Sequence, residues 1–258
     1  MLIYLHGLYV MRKVHVLLTK EEISTEKLAT EKKIAVVLDI LLATTTIVTA
    51  LKHGATKVIP VLNPDEAMRV SSLYRSGQAL VAGELQAKPI DGFLYPSPTH
   101  LSKSIKGKVL VLSTTNGTVA LRKAALAKRV YISSLLNNVF VAEAILNEDG
   151  DHTIVVICSG NTGEFSLEDF YGAGHFISKL KDRTNEEIVL NDAGKAAFAF
   201  YNCHSADPAQ LLAISSVGQL LIDHGHTEDL ILSSATGTHD VVPVLIEDQV
   251  LLRVKREG

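Results

Sequence analysis

The sequence predicts an α/β protein, a three-layer α/β/α arrangement around a largely parallel sheet. Three observations predict it. Short runs of β-branched and aliphatic residues recur at 34–40, 58–62, 79–82, 109–113, 130–133 and 153–158, each continuous rather than alternating, as in strands covered on both faces. Segments with helical spacing lie between them, at 45–53, 64–76, 118–127, 138–147 and 166–181. The composition is 47% hydrophobic with no Trp, which supplies the aliphatic core that a buried parallel sheet needs.

Taken in order, residues 14–18 read as a first strand, with the globular part beginning at Met11. Residues 1–10 are apolar but lack the basic start and small-residue cleavage site of a secretion signal, so they read as an N-terminal extension to a single domain at 11–258. Lys106-Gly107 and Asp149-Gly150 are turn signals ahead of the strands at 109–113 and 153–158. The segment 88–105 contains Pro89, Pro96 and Pro98, which exclude a continuous helix. It reads as a long surface excursion, a feature that in a compact domain often serves function. The last third predicts helical stretches at 191–202 and 208–224, a loop at 233–240 and a hairpin at 241–254 on the sheet edge.

The bulk numbers exclude several classes. A net charge of −3 from 25 basic and 28 acidic residues gives no clustered positive surface for nucleic acid. Two cysteines, Cys158 and Cys203, offer neither a disulfide framework nor a Cys-x-x-Cys metal pair, and fit a reducing, cytoplasmic setting. No apolar run approaches the roughly 20 residues that span a bilayer. Neither Ser113 nor Ser159 lies in a Gly-x-Ser-x-Gly elbow, so serine-hydrolase chemistry lacks support. The spacing of His224, His226 and His239 around Gly225 reads as exposed turn rather than metal site.

Chemistry is concentrated where strands hand over to helices, the edge at which α/β sheets bind ligands. Asp39 ends the strand at 34–40 and precedes Thr44, Thr45 and Thr46. A carboxylate there calls for a metal, a helix N-terminus or a buried cation, and the hydroxyls serve either an anion or a helix cap. Thr114, Thr115, Asn116 and Gly117 follow the strand at 109–113, resembling a phosphate cradle without the Lys of a nucleotide-binding loop; a simple Asn-Gly turn is the alternative. After Cys158 comes Ser159-Gly160-Asn161-Thr162-Gly163, then Ser166, Glu168 and Asp169, where Ser166 can cap the helix and the carboxylates can reach a metal. Glu84, behind the apolar run at 79–82, repeats the placement of Asp39, and two carboxylates from strand ends suit Mg²⁺.

The ordered segments VVLDILLATTTIVTALKHGATKVIPV, AGE, VLSTTNGTVAL, SSLLN, VVICSGNTGEFSLEDFYGAG and LND resemble the 2-phosphosulfolactate phosphatase family over most of the chain from Met11 onward. The resemblance implies a three-layer α/β/α fold and Mg²⁺-dependent hydrolysis of phosphosulfolactate to sulfolactate and phosphate. It also implies a homodimer. Carried onto this sequence, it makes Asp39, Glu84 and Asp169 the catalytic and metal-holding carboxylates, with Glu168 a further metal candidate. Thr44, Thr45, Thr114, Thr115, Asn116 and Gly117 become the residues that bind the anionic substrate. The sequence departs from the family pattern at Leu42, where Asp-x-x-Arg is usual, and at Gly92-Phe93-Leu94-Tyr95-Pro96-Ser97-Pro98, which lacks the usual Asp and Asn. A guanidinium can hold a phosphate or sulfonate through two parallel bonds, and Leu cannot. The alternative function is therefore a family member that binds a small anion without turnover.

Overall fold

A computed structural model describes residues 11–29, 32–85 and 88–253. The expected extension at 1–10 lies outside them. The strands are β1 (Met11–Leu17), β2 (Lys33–Leu38), β3 (Lys57–Val61), β4 (Ala79–Leu85), β5 (Lys88–Pro89), β6 (Val109–Ser113), β7 (Arg129–Ser133), β8 (Thr153–Cys158), β9 (Glu187–Leu190), β10 (Pro243–Ile246) and β11 (Gln249–Leu252). The helices are α1 (Thr25–Leu28), α2 (Ala43–Lys52), α3 (Pro64–Ser71), α4 (Pro98–Leu101), α5 (Gly117–Ala124), α6 (Asn138–Leu146), α7 (Leu167–Lys181), α8 (Asp192–His204), α9 (Pro208–Ile214), α10 (Ser216–Asp223) and α11 (Thr227–Ser234), with a 3₁₀ turn at Lys20–Glu22.

The strands form one sheet in the order β5-β4-β6-β3-β11-β10-β7-β2-β8-β1-β9. Residues of β2 alternate between two buried faces. Ile34, Val36 and Leu38 pack in a cluster with Phe176 and Ile177 of α7 and Val141 of α6, while Ala35 and Val37 join Ile47 of α2 and Leu121 of α5. Burial on both faces is why this strand reads as an unbroken apolar run, and it makes the three layers. A smaller cluster, including Ile59, Val61 and Val111, buries Ala67 of α3.

The predicted hairpin is present but not at an edge. β10 pairs antiparallel with β7, and β11 pairs antiparallel with β3, so the hairpin joins two parallel groups inside the sheet. Val244 and Val250 are buried there, which local pattern cannot reveal because pairing partners are remote in sequence. Three successive antiparallel steps also reverse strand direction between the groups. The β6 and β2 loops nevertheless meet, with α5 packed on both β2 and β3 and Gly117 against Asp39 and Ala43.

Two helix expectations change. The stretch 208–224 is broken at Ser215, whose extended backbone and hydroxyl, accepting from the Gly218 N–H at 3.0 Å, start α10 afresh. The helix expected at 64–76 ends at Ser71, where the Ser71 and Ser72 hydroxyls donate back to the Met68 and Arg69 carbonyls.

Candidate active site

Asp39 leaves β2 at its carboxyl end, and its carboxylate Oδ1 accepts the Ala43 N–H at 3.0 Å, capping the start of α2. The three threonines that follow are fully buried. Thr44 Oγ1 donates to the Asp39 carbonyl at 2.9 Å, Thr45 Oγ1 to the Ile40 carbonyl at 2.8 Å and Thr46 Oγ1 to the Pro96 carbonyl at 2.7 Å. Thr44 and Thr45, expected to meet an anion, instead lock the turn that presents Asp39. Both hydroxyl protons are spent on backbone carbonyls, and Thr44 Oγ1 also accepts the Asp39 N–H at 3.0 Å.

The β6 loop meets this turn. Gly117 lies against it so closely that a Cβ there would sit 2.5 Å from the Ala43 Cβ and 2.6 Å from Asp39 Oδ2. Only glycine allows that approach. Thr114 and Thr118 bond reciprocally, each hydroxyl accepting the other's N–H at 3.1 Å, which opens α5. Thr115 gives its N–H to Glu84 Oε1 at 2.7 Å and its hydroxyl to Oε2 at 3.1 Å, tying β4 to the same loop. Glu84 lies within β4 rather than after it.

Asn116 is the junction of three loops. Its Oδ1 accepts from Lys20 Nζ at 2.8 Å and from the Thr162 N–H at 3.0 Å. With both donors on the oxygen, the amide NH₂ is the end left to a ligand. Thr162 holds the left-handed backbone (φ 53°), rare for a β-branched residue and found where a loop is held for function. Lys20 is a buried cation that sequence reading passed over. The available signal was its position two residues beyond the predicted first strand, the same kind of strand end that drew attention to Asp39.

Asp39, Glu84, Thr114, Thr115, Asn116 and Thr162 line one cavity of about 410 Å³, within the range of small-molecule sites. Apolar residues line it too: Leu41 and Leu42, Tyr95 and Pro96 of the proline-rich excursion, and Val217, Leu220 and Leu221 of α10. Asp229 of α11 holds that excursion in place: its buried Oδ1 accepts from Ser97 Oγ at 2.9 Å and from the Thr99 N–H at 3.0 Å. His226 stacks on Tyr95 with ring centroids 4.3 Å apart, and burial, followed by the charges of Glu84 and Asp229, pushes the Tyr95 phenol up to about 12. A second cavity of about 540 Å³ shares Asn161, Thr162, Ser216 and Val217 with the first and is also lined by Glu168.

Asp169 stands apart from both cavities. Its Oδ1 accepts the Ile40 N–H at 2.8 Å and its Oδ2 the Gly160 N–H at 3.2 Å, so it staples the β2 loop to the β8 loop. Ser166 caps α7 through the Asp169 N–H at 3.2 Å. The structure thus brings Asp39, Glu84, Thr114, Thr115 and Asn116 together on one cavity, with Gly117 beneath. Glu168 lies on the neighbouring cavity, and Thr44, Thr45 and Asp169 are packed behind.

The site is electrostatically tense. Burial, with the charges of Glu84 and Glu168, pushes the Asp39 carboxyl up to about 7, against the opposing Ala43 hydrogen bond and the Lys20 charge. Burial raises Asp169 well above the usual range, helped by the charges of Asp39 and Glu168, and burial also raises Glu168. Cys158 is fully buried, and burial with the nearby Asp169 charge drives its thiol well up, so it is a core residue and not a thiolate nucleophile. Among the described residues, no group of three or more His, Cys, Asp or Glu side chains could by itself hold a metal ion. Mg²⁺ is commonly held by only one or two carboxylates, with substrate phosphate and water completing its shell, and Asp39 and Glu84 are the carboxylates that line the first cavity.

Comparison with known proteins agrees with the residue pattern. Residues 17–248 match the family described as 2-phosphosulpholactate phosphatase. A protein of Symbiobacterium thermophilum named "Probable 2-phosphosulfolactate phosphatase" is 39% identical over 222 residues, covering 85% of this chain and 94% of the relative. Proteins of the same name from Caldanaerobacter subterraneus subsp. tengcongensis and Clostridium perfringens strain SM101 are 36% and 38% identical, over 83% and 89% of this chain and 88% and 92% of their own lengths. With the family match spanning nearly all of the described fold, this chain belongs to the 2-phosphosulfolactate phosphatase family.

Proposed function

We propose that this chain is a Mg²⁺-dependent phosphatase that hydrolyses 2-phosphosulfolactate, or a similar small phosphorylated acid, to the free hydroxy acid and inorganic phosphate. The observation that carries the reading is the meeting of Asp39, Glu84 and the start of α5 on one small-molecule cavity. A phosphate seated at the start of α5 gains the positive end of that helix and the Asn116 amide. Asp39 and Glu84 would hold Mg²⁺, which when bound neutralises charge developing on the phosphoryl oxygens. Lys20 keeps Asn116 oriented and favours the ionised form of Asp39. Tyr95, Pro96 and α10 also line the cavity and would limit the water that reaches the ester.

No described helix is long and apolar enough to cross a membrane. The cytoplasmic reading rests on the two unpaired cysteines, which fit a reducing setting. A homodimer rests on the family resemblance, and sedimentation velocity decides it. The activity is tested by phosphate release from 2-phosphosulfolactate with Mg²⁺ and again with excess chelator. Release that survives the chelator removes the metal from the reading. A second reading, anion binding without turnover, rests on Leu42, which lines the cavity where the family pattern has Arg, and on Leu94 in the altered loop. Saturable phosphate binding with no release at any Mg²⁺ concentration selects it.

A further inference from the structure

The lining of the cavity is of two kinds, and the difference bears on the substrate. Its lining combines Asp39, Glu84 and the polar β6 loop with an apolar group: Leu41, Leu42 and Leu221 of one packed cluster, Tyr95 and Val217 packed against it, and Leu220. Among the described residues that line it, none is Lys, Arg or His, and the buried Lys20 has its ammonium bonded to Asn116 Oδ1 and Glu21. Phosphosulfolactate carries a phosphate, a carboxylate and a sulfonate. A divalent cation and Asn116 would answer the phosphate, and Asn161, Thr162 and Ser216, which also line the cavity, are the neutral polar groups available to a carboxylate. A sulfonate would then face leucine side chains, losing hydration without gaining a partner. An alkyl group in the same place would instead bury apolar surface against them.

From this mixed lining we infer that the preferred substrate is the phosphate monoester of a small 2-hydroxy acid whose third substituent is apolar, with the leucine wall as the site that selects it. The inference rests on the phosphatase reading and narrows its substrate class. Leu42, which lines the cavity, directly precedes α2 and lies three residues from Asp39, is the selecting residue to test.

The test compares kcat/KM of the full chain, with Mg²⁺, for three phosphate esters: 2-phosphosulfolactate, 2-phospholactate and 2-phospho-4-methylpentanoate. The isobutyl ester is expected to exceed the sulfonate by at least about tenfold, the size of discrimination a methylene or two gives in an apolar pocket. Leu42→Arg is expected to reverse the order. Leu220→Lys, on a half-exposed position of α10, carries the same charge test should the first variant fail to fold. Wild-type preference for the sulfonate overturns the inference, as does a folded charge variant that leaves the order unchanged. If no ester releases phosphate, the phosphatase reading falls separately, and calorimetric affinities for the same three esters still decide the wall. Tighter binding of the isobutyl ester supports it, and tighter binding of the sulfonate overturns it.

Discussion

Replacing Asp39 by Asn should stabilise the metal-free protein above neutral pH while ending phosphate release. The Asp39 carboxyl is raised from 3.8 to about 7, chiefly by burial and then by the charges of Glu84 and Glu168. Between those values the folded state binds more protons than the unfolded chain, so stability is fully present below about pH 4 and falls as pH rises through about 7. A shift of roughly three units corresponds to ~4 kcal/mol at ~1.4 kcal/mol per unit. Asn keeps a carbonyl to accept the Ala43 N–H, but its NH₂ needs a new acceptor, which takes back ~1–3 kcal/mol. The net gain of ~1–3 kcal/mol should raise Tm by about 3–10 °C for a domain of this size. Thermal melts of wild type and Asp39→Asn in chelator, at pH 5 and pH 8, read the effect, which should be small at pH 5 and full at pH 8. Adding Mg²⁺ at pH 8 should lift wild type more than the variant. A variant that melts below wild type at pH 8 would show that the carboxylate is a net structural staple, and the reasoning fails.

Lys20→Met should raise KM about tenfold or more through loss of a charge-assisted hydrogen bond to Asn116, and should move the Asp39-dependent limb of the pH–rate profile to higher pH, because the Lys20 charge favours the carboxylate. Lys20→Arg should restore part of both, and an unshifted limb removes Lys20 from the electrostatics of the site. Gly117→Ala should cost ~1–3 kcal/mol in urea unfolding and most of the activity, since the added methyl collides with Ala43 and Asp39. Asp229→Ala should cost about 3 kcal/mol and weaken substrate binding, because it frees Ser97 and Thr99 and with them the Tyr95 wall; equal affinity in a destabilised variant would separate that wall from the site.

Much of the fold is legible locally because burial on both faces leaves a continuous apolar run, as β2 shows, and because polar residues gather where strands end. The same logic singled out Asp39, Glu84, Thr114, Thr115 and Asn116, which the fold brings to one cavity. It did not find the roles of Thr44 and Thr45, whose hydroxyls turn inward to backbone carbonyls, since a sequence gives a residue's place on a helix but not the bond its side chain makes. Asp169 differs for the same reason: its acceptors serve Ile40, 129 positions away, and Gly160.

The sequence by itself determined the alternation of strands and helices, the polar strand ends and the family, because each is written in local pattern and order. The tertiary structure alone decided that the hairpin lies inside the sheet, that Lys20 bonds Asn116, and that α10 and the proline-rich excursion bring apolar residues to the cavity that Asp39 and Glu84 line. Those are contacts between segments far apart in the chain. Their energy depends on which surfaces the whole fold brings together, and no local periodicity encodes that.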